Sequence, residues 1–228
     1  MRNLVGYHMH EGIATLTMDD GKVNALGIEM IAEITQGLDR AAALADVVVI
    51  MGRTGLLSAG FDLKVINGPK DGVRTMVEAG AELLMKVYMH PQPVVIGCTG
   101  HAVAAGALLL CSGDQRIGVS GDFKIGLNET AISLSLPTFA LELARDRLDA
   151  RHLSAATLGA ELYSPTVAAE VGYLDRAVEP DGFKSAVTEK AVQLQSLDRD
   201  SFALAKRRLR GAKETLIRTG LRAEIDAR

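Results

Sequence analysis

The 228-residue sequence has no tryptophan, four tyrosines, five phenylalanines and two cysteines. So few aromatic rings leave no platform on which the bases of single-stranded nucleic acid could stack. Cys98 and Cys111 sit in apolar stretches without Cys-x-x-Cys spacing, which disfavours a disulfide framework or a thiolate metal site and fits two reduced, buried thiols in a cytoplasmic protein. An excess of one charge is missing as well. With 25 basic and 28 acidic residues, a net of −3, there is no global field for wrapping nucleic acid or coating an anionic membrane. No apolar run reaches the roughly 18 residues that a bilayer crossing requires, and no basic patch followed by an apolar block opens the chain.

What is present is 48% hydrophobic and 23% charged, the balance of a globular chain that can bury a sizeable core. Leu4 to Met9 and Ile13 to Met18 read as strands around a Glu11-Gly12 turn. Met30, Ile31, Ile34 and Leu38 follow helical spacing, and Val47 to Met51 reads as a strand buried on both faces. A Gly-rich loop from Gly52 to Gly60, a helix over Val73 to Met89 and a strand over Val94 to Cys98 come next. They lead to a second loop, Thr99 to Gly106, a buried helix at Ala107 to Cys111, and strands at Arg116 to Val119 and Phe123 to Ile125. Past Pro137 the β signal fades into helical patterns, so the division expected is an α/β core over residues 1–137 and a helical region over 138–228. The last helix carries Lys206, Arg207, Arg208, Arg210 and Lys213, either a solvated face or a basic site for ligand phosphates.

Several chemistries are disfavoured by their missing motifs. Gly100 to Gly106 lies where phosphate loops live but has neither Gly-x-Gly-x-x-Gly nor a closing Lys-Ser or Lys-Thr. No Gly-x-Ser-x-Gly elbow supplies a serine nucleophile, and His8 with His10 finds no third metal ligand nearby. Two junctions of small residues remain, Ser58-Ala59-Gly60 and Ala104-Ala105-Gly106. Such junctions either permit tight packing or let backbone N–H groups approach an anionic oxygen.

Four segments together carry a resemblance: Asp20-Gly21-Lys22-Val23-Asn24-Ala25-Leu26, Leu57 to Lys64, Thr99 through Gly106 to Asp114, and Gly126-Leu127-Asn128-Glu129. In this order and spacing they resemble the crotonase family of enoyl-CoA hydratases and isomerases, most nearly its mycobacterial-type hydratases. The resemblance implies an α/β spiral of repeated ββα units, with a C-terminal helical region that covers the core and makes trimer contacts, in one family domain overall. It implies a homotrimer or a hexamer of two trimers, and an acyl-CoA thioester as ligand, CoA being part of the substrate so that no separate cofactor is needed. By position its oxyanion-hole donors fall on the N–H groups of Ala59 and Ala105. Lys22, Val23, Ala25, Ser58, Gly60, Phe61, Asp62 and Leu63 would line the CoA moiety.

One departure bears on the reaction. Hydratases of this family use two glutamates; the later is matched by Glu129, whereas the earlier falls on Leu108. A leucine cannot hold or deprotonate water, so the two-carboxylate hydration geometry is lost at these positions. One carboxylate suffices to move a proton from C2 to C4 of a 3-enoyl thioester, and the resemblance therefore favours Δ3,Δ2-enoyl-CoA isomerisation in fatty acid metabolism. A hydratase with an unidentified second acid or base, and a non-catalytic acyl-CoA binding or regulatory protein, are the alternatives. Asp62 is expected to cap a helix, Asp114 to order a turn and His101 to pack in its loop.

Overall fold

The expected N-terminal hairpin is present in the computed structural model, which describes residues 3–226. Strands β1 (Val5–His10) and β2 (Ile13–Met18) pair antiparallel through a turn in which Glu11 and Gly12 both have positive φ, the two-residue geometry whose twist suits a hairpin. Ala14, Leu16 and Met18 of β2 alternate into the core. Helix α1 (Ile28–Leu44) turns Met30, Ile31, Ile34 and Leu38 inward, as their spacing predicts. Strand β3 (Val47–Met51) lies parallel to β2, its first four residues buried.

Beyond β3 successive strands alternate between two sheets. Strand β4 (Gly55–Ser58) leaves the first sheet for a second, and helices α2 (Leu63–Ile66) and α3 (Lys70–Tyr88) follow. Strand β5 (Val94–Cys98) returns beside β3, β6 (Gly100–Val103) joins β4, and α4 (Ala105–Ser112) follows directly. Strand β7 (Gln115–Val119) lies beside β5, and β8 (Ile125–Gly126) beside β6. With a last strand, β9 (Arg176–Val178), the larger sheet has the order β1-β2-β3-β5-β7-β9 and the smaller β4-β6-β8. Each ββα turn is thus displaced one strand from the last, which is the spiral that the resemblance implies.

The two Gly-rich stretches are therefore not plain loops, since each contains a strand of the small sheet; four residues with few β-branched side chains gave no period-2 signal. The strand expected at Phe123 to Ile125 is only Ile125–Gly126, and the Phe123 ring instead packs edge-on against His101. After α5 (Thr138–Arg147), α6 (Leu153–Thr157) and α7 (Pro165–Val171) the chain returns a strand, β9 (Arg176–Val178), to the edge of the large sheet beside β7. The segment after Pro137 is thus not purely helical. Helix α8 (Pro180–Gln195) packs Phe183, Ala186, Val187 and Ala191 on the face of the large sheet opposite α1 and α3. Helix α9 (Arg199–Asp226) completes the described chain, and no helix among the described residues is long and apolar enough to cross a membrane.

The basic residues of α9 divide by partner. Arg207 and Arg208 are exposed, but Lys206 and Arg210 are buried and grip the Asp114 carboxylate at 2.6 and 3.0 Å. Lys206 Nζ also donates to the carbonyls of His90 and Gln92, and Arg210 to that of Tyr88. Neither a solvated face nor a phosphate site describes these two side chains; they hold α9 to the core. Asp114 additionally accepts the Val94 N–H at 2.7 Å, so it joins helix to sheet rather than merely ordering a turn.

Candidate active site

The first motif folds around an acidic residue. The Asp20 carboxylate accepts the N–H groups of Lys22, Asn24 and Ala25 at 2.7, 2.9 and 3.3 Å. Burial pushes its pKa up, but these bonds and the nearby Arg53 outweigh that and leave it lowered. Asn24, fully buried at positive φ, donates to the carbonyls of Met18 and Leu57, and the Ser58 hydroxyl donates to the Asn24 carbonyl at 2.7 Å while accepting the Gly60 N–H. The loop after β2 is thereby fixed to the end of β4.

This pairing decides which backbone donors are free. Ala59 N–H donates to the Val23 carbonyl at 3.0 Å and Leu26 N–H to the Gly60 carbonyl at 2.8 Å. The donor expected at Ala59 is therefore already used inside the protein. Successive amides of an extended segment point to opposite sides, and among the hydrogen bonds of the described residues the Phe61 N–H has no acceptor. Ala105, the first residue of α4, likewise has an N–H without an intramolecular acceptor, as helix starts do.

Glycine brings these two segments together. A Cβ on Gly60, at φ +96°, would lie 2.8 Å from the Ala104 Cβ and 3.2 Å from the Ala105 nitrogen. One on Gly106 would lie 2.3 Å from the Ser58 carbonyl oxygen. Between them Ala104 adopts φ 53° and ψ −125°, a conformation that strains an L-residue, while its N–H bonds the Gly126 carbonyl.

That last bond leads to the carboxylate. Strand β8 lies against β6, and three residues after Gly126 stands Glu129. Its Oε2 is buried without a partner, and burial pushes its pKa to about 7 against weaker opposing bonds from its own N–H and that of Asn128. Leu108, on the first turn of α4, is buried and apolar. The arrangement offers two unspent N–H donors for a developing oxyanion and one carboxylate poised to take and return a proton near neutrality.

Of the residues expected to line CoA, Lys22, Val23 and Leu63 are exposed, and Ala25, Phe61 and Asp62 are half-buried. Ser58 is fully buried and braces the loop from within. The buried Gly60 is the point of contact with α4, and the Phe61 ring packs on Gly80 of α3. Asp62 caps α2 through the Lys64 N–H at 2.9 Å, as its position predicts. Arg53, which no motif marks, donates to the Lys22 carbonyl and brings a second cation to this rim. Among the described residues no three His, Cys, Asp or Glu side chains are grouped to hold a metal ion.

A stability effect follows from the buried carboxyl. Unfolded, Glu129 titrates near 4.5; folded, at about 7, so between these values the folded chain holds the extra proton and stability falls as pH rises. Glu129→Gln escapes this loss of about 2–3 kcal/mol. Its melting temperature should match that of the wild type below about pH 4.5 and exceed it by ~5–10 °C above pH 7 in paired thermal melts, whereas a constant difference across that range would contradict the burial.

The family model described as enoyl-CoA hydratase/isomerase matches residues 8–227. An enoyl-CoA hydratase/isomerase family protein from Pseudomonas syringae has the same fold with a TM-score of 0.95 at 35% identity, over 98% of this chain and 97% of that one. The apo structure of an enoyl-CoA isomerase from Mycobacterium tuberculosis matches with a TM-score of 0.93 at 35% identity, over 100% and 99% of the two chains. Human mitochondrial enoyl-CoA delta isomerase 1 is 24% identical over 219 residues, 94% of this chain and 72% of its own length. The spiral, the junction of the two glycine-bearing segments and these matches agree: the chain belongs to the enoyl-CoA hydratase/isomerase family.

Proposed function

We propose that the protein is a Δ3,Δ2-enoyl-CoA isomerase working with a single carboxylate. The observation that carries this reading is the Glu129 carboxyl, whose Oε2 is buried without a hydrogen-bond partner, with the inert Leu108 on the helix that bears the second oxyanion donor. The thioester oxygen of a 3-enoyl-CoA accepts the N–H groups of Phe61 and Ala105. Ionised Glu129 breaks the C2–H bond, and the electron pair delocalises over the dienolate. The carboxylic acid then returns the proton to C4, leaving the double bond between C2 and C3. No water is consumed and no redox partner is needed, so the absence of a second carboxylate costs this reaction nothing. A pKa of about 7 suits a group that must serve as base and then as acid.

Around this centre Lys22 and Arg53 supply cations for the phosphates of CoA, while Val23, Ala25, Phe61, Asp62 and Leu63 offer their backbone and half-exposed surfaces to the rest of it. The protein assembles as a homotrimer or a pair of trimers in the cytoplasm; exposed Ile132, Leu158 and Leu162, in the stretch after Glu129, are the apolar surface that supports such contacts. The deciding experiment follows the conjugated-thioester absorbance with 3-hexenoyl-CoA and crotonyl-CoA side by side. A rise with the first and no loss with the second is expected. Loss of crotonyl-CoA absorbance would identify a hydratase with a second acid or base elsewhere, and tight acyl-CoA binding without any turnover would identify a binding protein.

A further inference from the structure

Tyr173 is fully buried, yet it lies just outside α7 and far along the chain from every motif of the site. Its hydroxyl donates to the Ala156 carbonyl in α6 at 3.3 Å, and the Leu127 N–H, two residues before Glu129, points at the same oxygen. On the other side of Glu129, the Thr130 hydroxyl donates to the Leu158 carbonyl at 3.2 Å, with the Thr157 carbonyl at 3.5 Å. The segment that carries the carboxylate is thus linked to the end of α6 from both sides, through the Tyr173 hydroxyl before it and directly by the Thr130 hydroxyl after it.

The Tyr173 ring also faces that of Tyr163 at 6.2 Å, and Tyr163 exchanges backbone hydrogen bonds with Ile125 of β8, the strand that leads to Glu129. Both Cys111, one turn beyond Leu108 on α4, and Glu129 act electrostatically on the Tyr173 phenol. The phenol therefore stands where α4, α6 and the base-bearing segment meet.

We propose that Tyr173 is a positioning residue for Glu129, its hydroxyl joining the segment that carries the base to the end of α6. The proposal rests on the reading of Glu129 as the base. Proton transfer between C2 and C4 requires one carboxylate to reach two carbons in turn, and a segment free to drift by an ångström would lose one of them. The same bonds keep water away from the carboxyl. The titratable groups that bear on the Tyr173 phenol are Cys111, Tyr163 and Glu129 itself, with Glu161 beyond at the Tyr163 hydroxyl; burial raises the pKa of Tyr163, Tyr173 and Cys111, which are neutral at pH 7.

Tyr173→Phe keeps the ring and removes only the hydroxyl. It should lower kcat for 3-hexenoyl-CoA isomerisation about tenfold with KM within about twofold. It should also move the acid limb of the kcat/KM profile down by about one pH unit as water reaches Glu129. Thr130→Val, at an exposed position on the other side of the segment, should act in the same directions and keeps the test open if the tyrosine variant folds poorly. Glu129→Gln is run in parallel. An active Glu129→Gln would remove the reading of the base and the proposal with it. An inactive Glu129→Gln alongside Tyr173→Phe with unchanged kcat and an unmoved acid limb would overturn the positioning role alone.

Discussion

Glu129→Gln is expected to lower the rate of 3-enoyl-CoA isomerisation about 10³-fold while leaving acyl-CoA affinity within about threefold of the wild type. Gln has nearly the same volume as Glu but cannot accept the C2 proton, and the other carboxylates of the motifs are engaged elsewhere: Asp20 within its own loop, Asp62 at the cap of α2 and Asp114 with Lys206 and Arg210. The donors at Phe61 and Ala105 are backbone groups of other segments, one after β4 and one at the start of α4, and do not change, so thioester binding and its polarisation persist. Equilibrium binding of a saturated acyl-CoA and single-turnover kinetics with 3-hexenoyl-CoA separate the two effects. A variant keeping more than a tenth of the wild-type rate would show that the proton moves by another route.

Asp114→Ala should cost about 3–5 kcal/mol, because it leaves the cations of Lys206 and Arg210 buried with no counter-charge. Lys206 is the more exposed to this loss: burial already lowers its pKa to about 8, against the raising effect of Asp114. Arg210 keeps the Tyr88 carbonyl and that residue's ring, 4.4 Å away, but these carry no full negative charge. For a chain of this length a drop in melting temperature of ~10 °C or more is expected, measured by differential scanning calorimetry. A drop under about 3 °C would mean that water reaches the cluster and screens it.

These residues also mark where the sequence could be read and where it could not. Strand β3 and the stripe Met30, Ile31, Ile34, Leu38 are local patterns, and periodicity places both. Strands β4 and β6 are four residues each and contain Gly55 and Gly100, so composition alone marks them as loops. Lys206 and Arg210 look like a solvated run because their partner lies 92 residues or more earlier in the chain, a distance over which no local pattern operates. The oxyanion donors show a subtler limit. The resemblance points to the segment from Ser58 to Leu63, but whether the N–H of Ala59 or that of Phe61 is free depends on how the segment pairs with Val23 and Leu26. Ala105 needed no such pairing, since the first residue of a helix has no carbonyl one turn back to bond.

The three strands of the small sheet run parallel, and each leads to one residue of the proposed site: β4 to Phe61, β6 to Ala105 and β8 to Glu129. In the proposed mechanism the anion-binding and proton-handling roles therefore fall on separate successive turns of the chain. Lengthening or re-aiming the connection after β8 would present the acid–base group to a different carbon without disturbing either amide, whereas any change at Gly60 or Ala104 would touch both donors at once. On this scaffold the site of proton transfer can diverge while the recognition of a thioester is inherited intact.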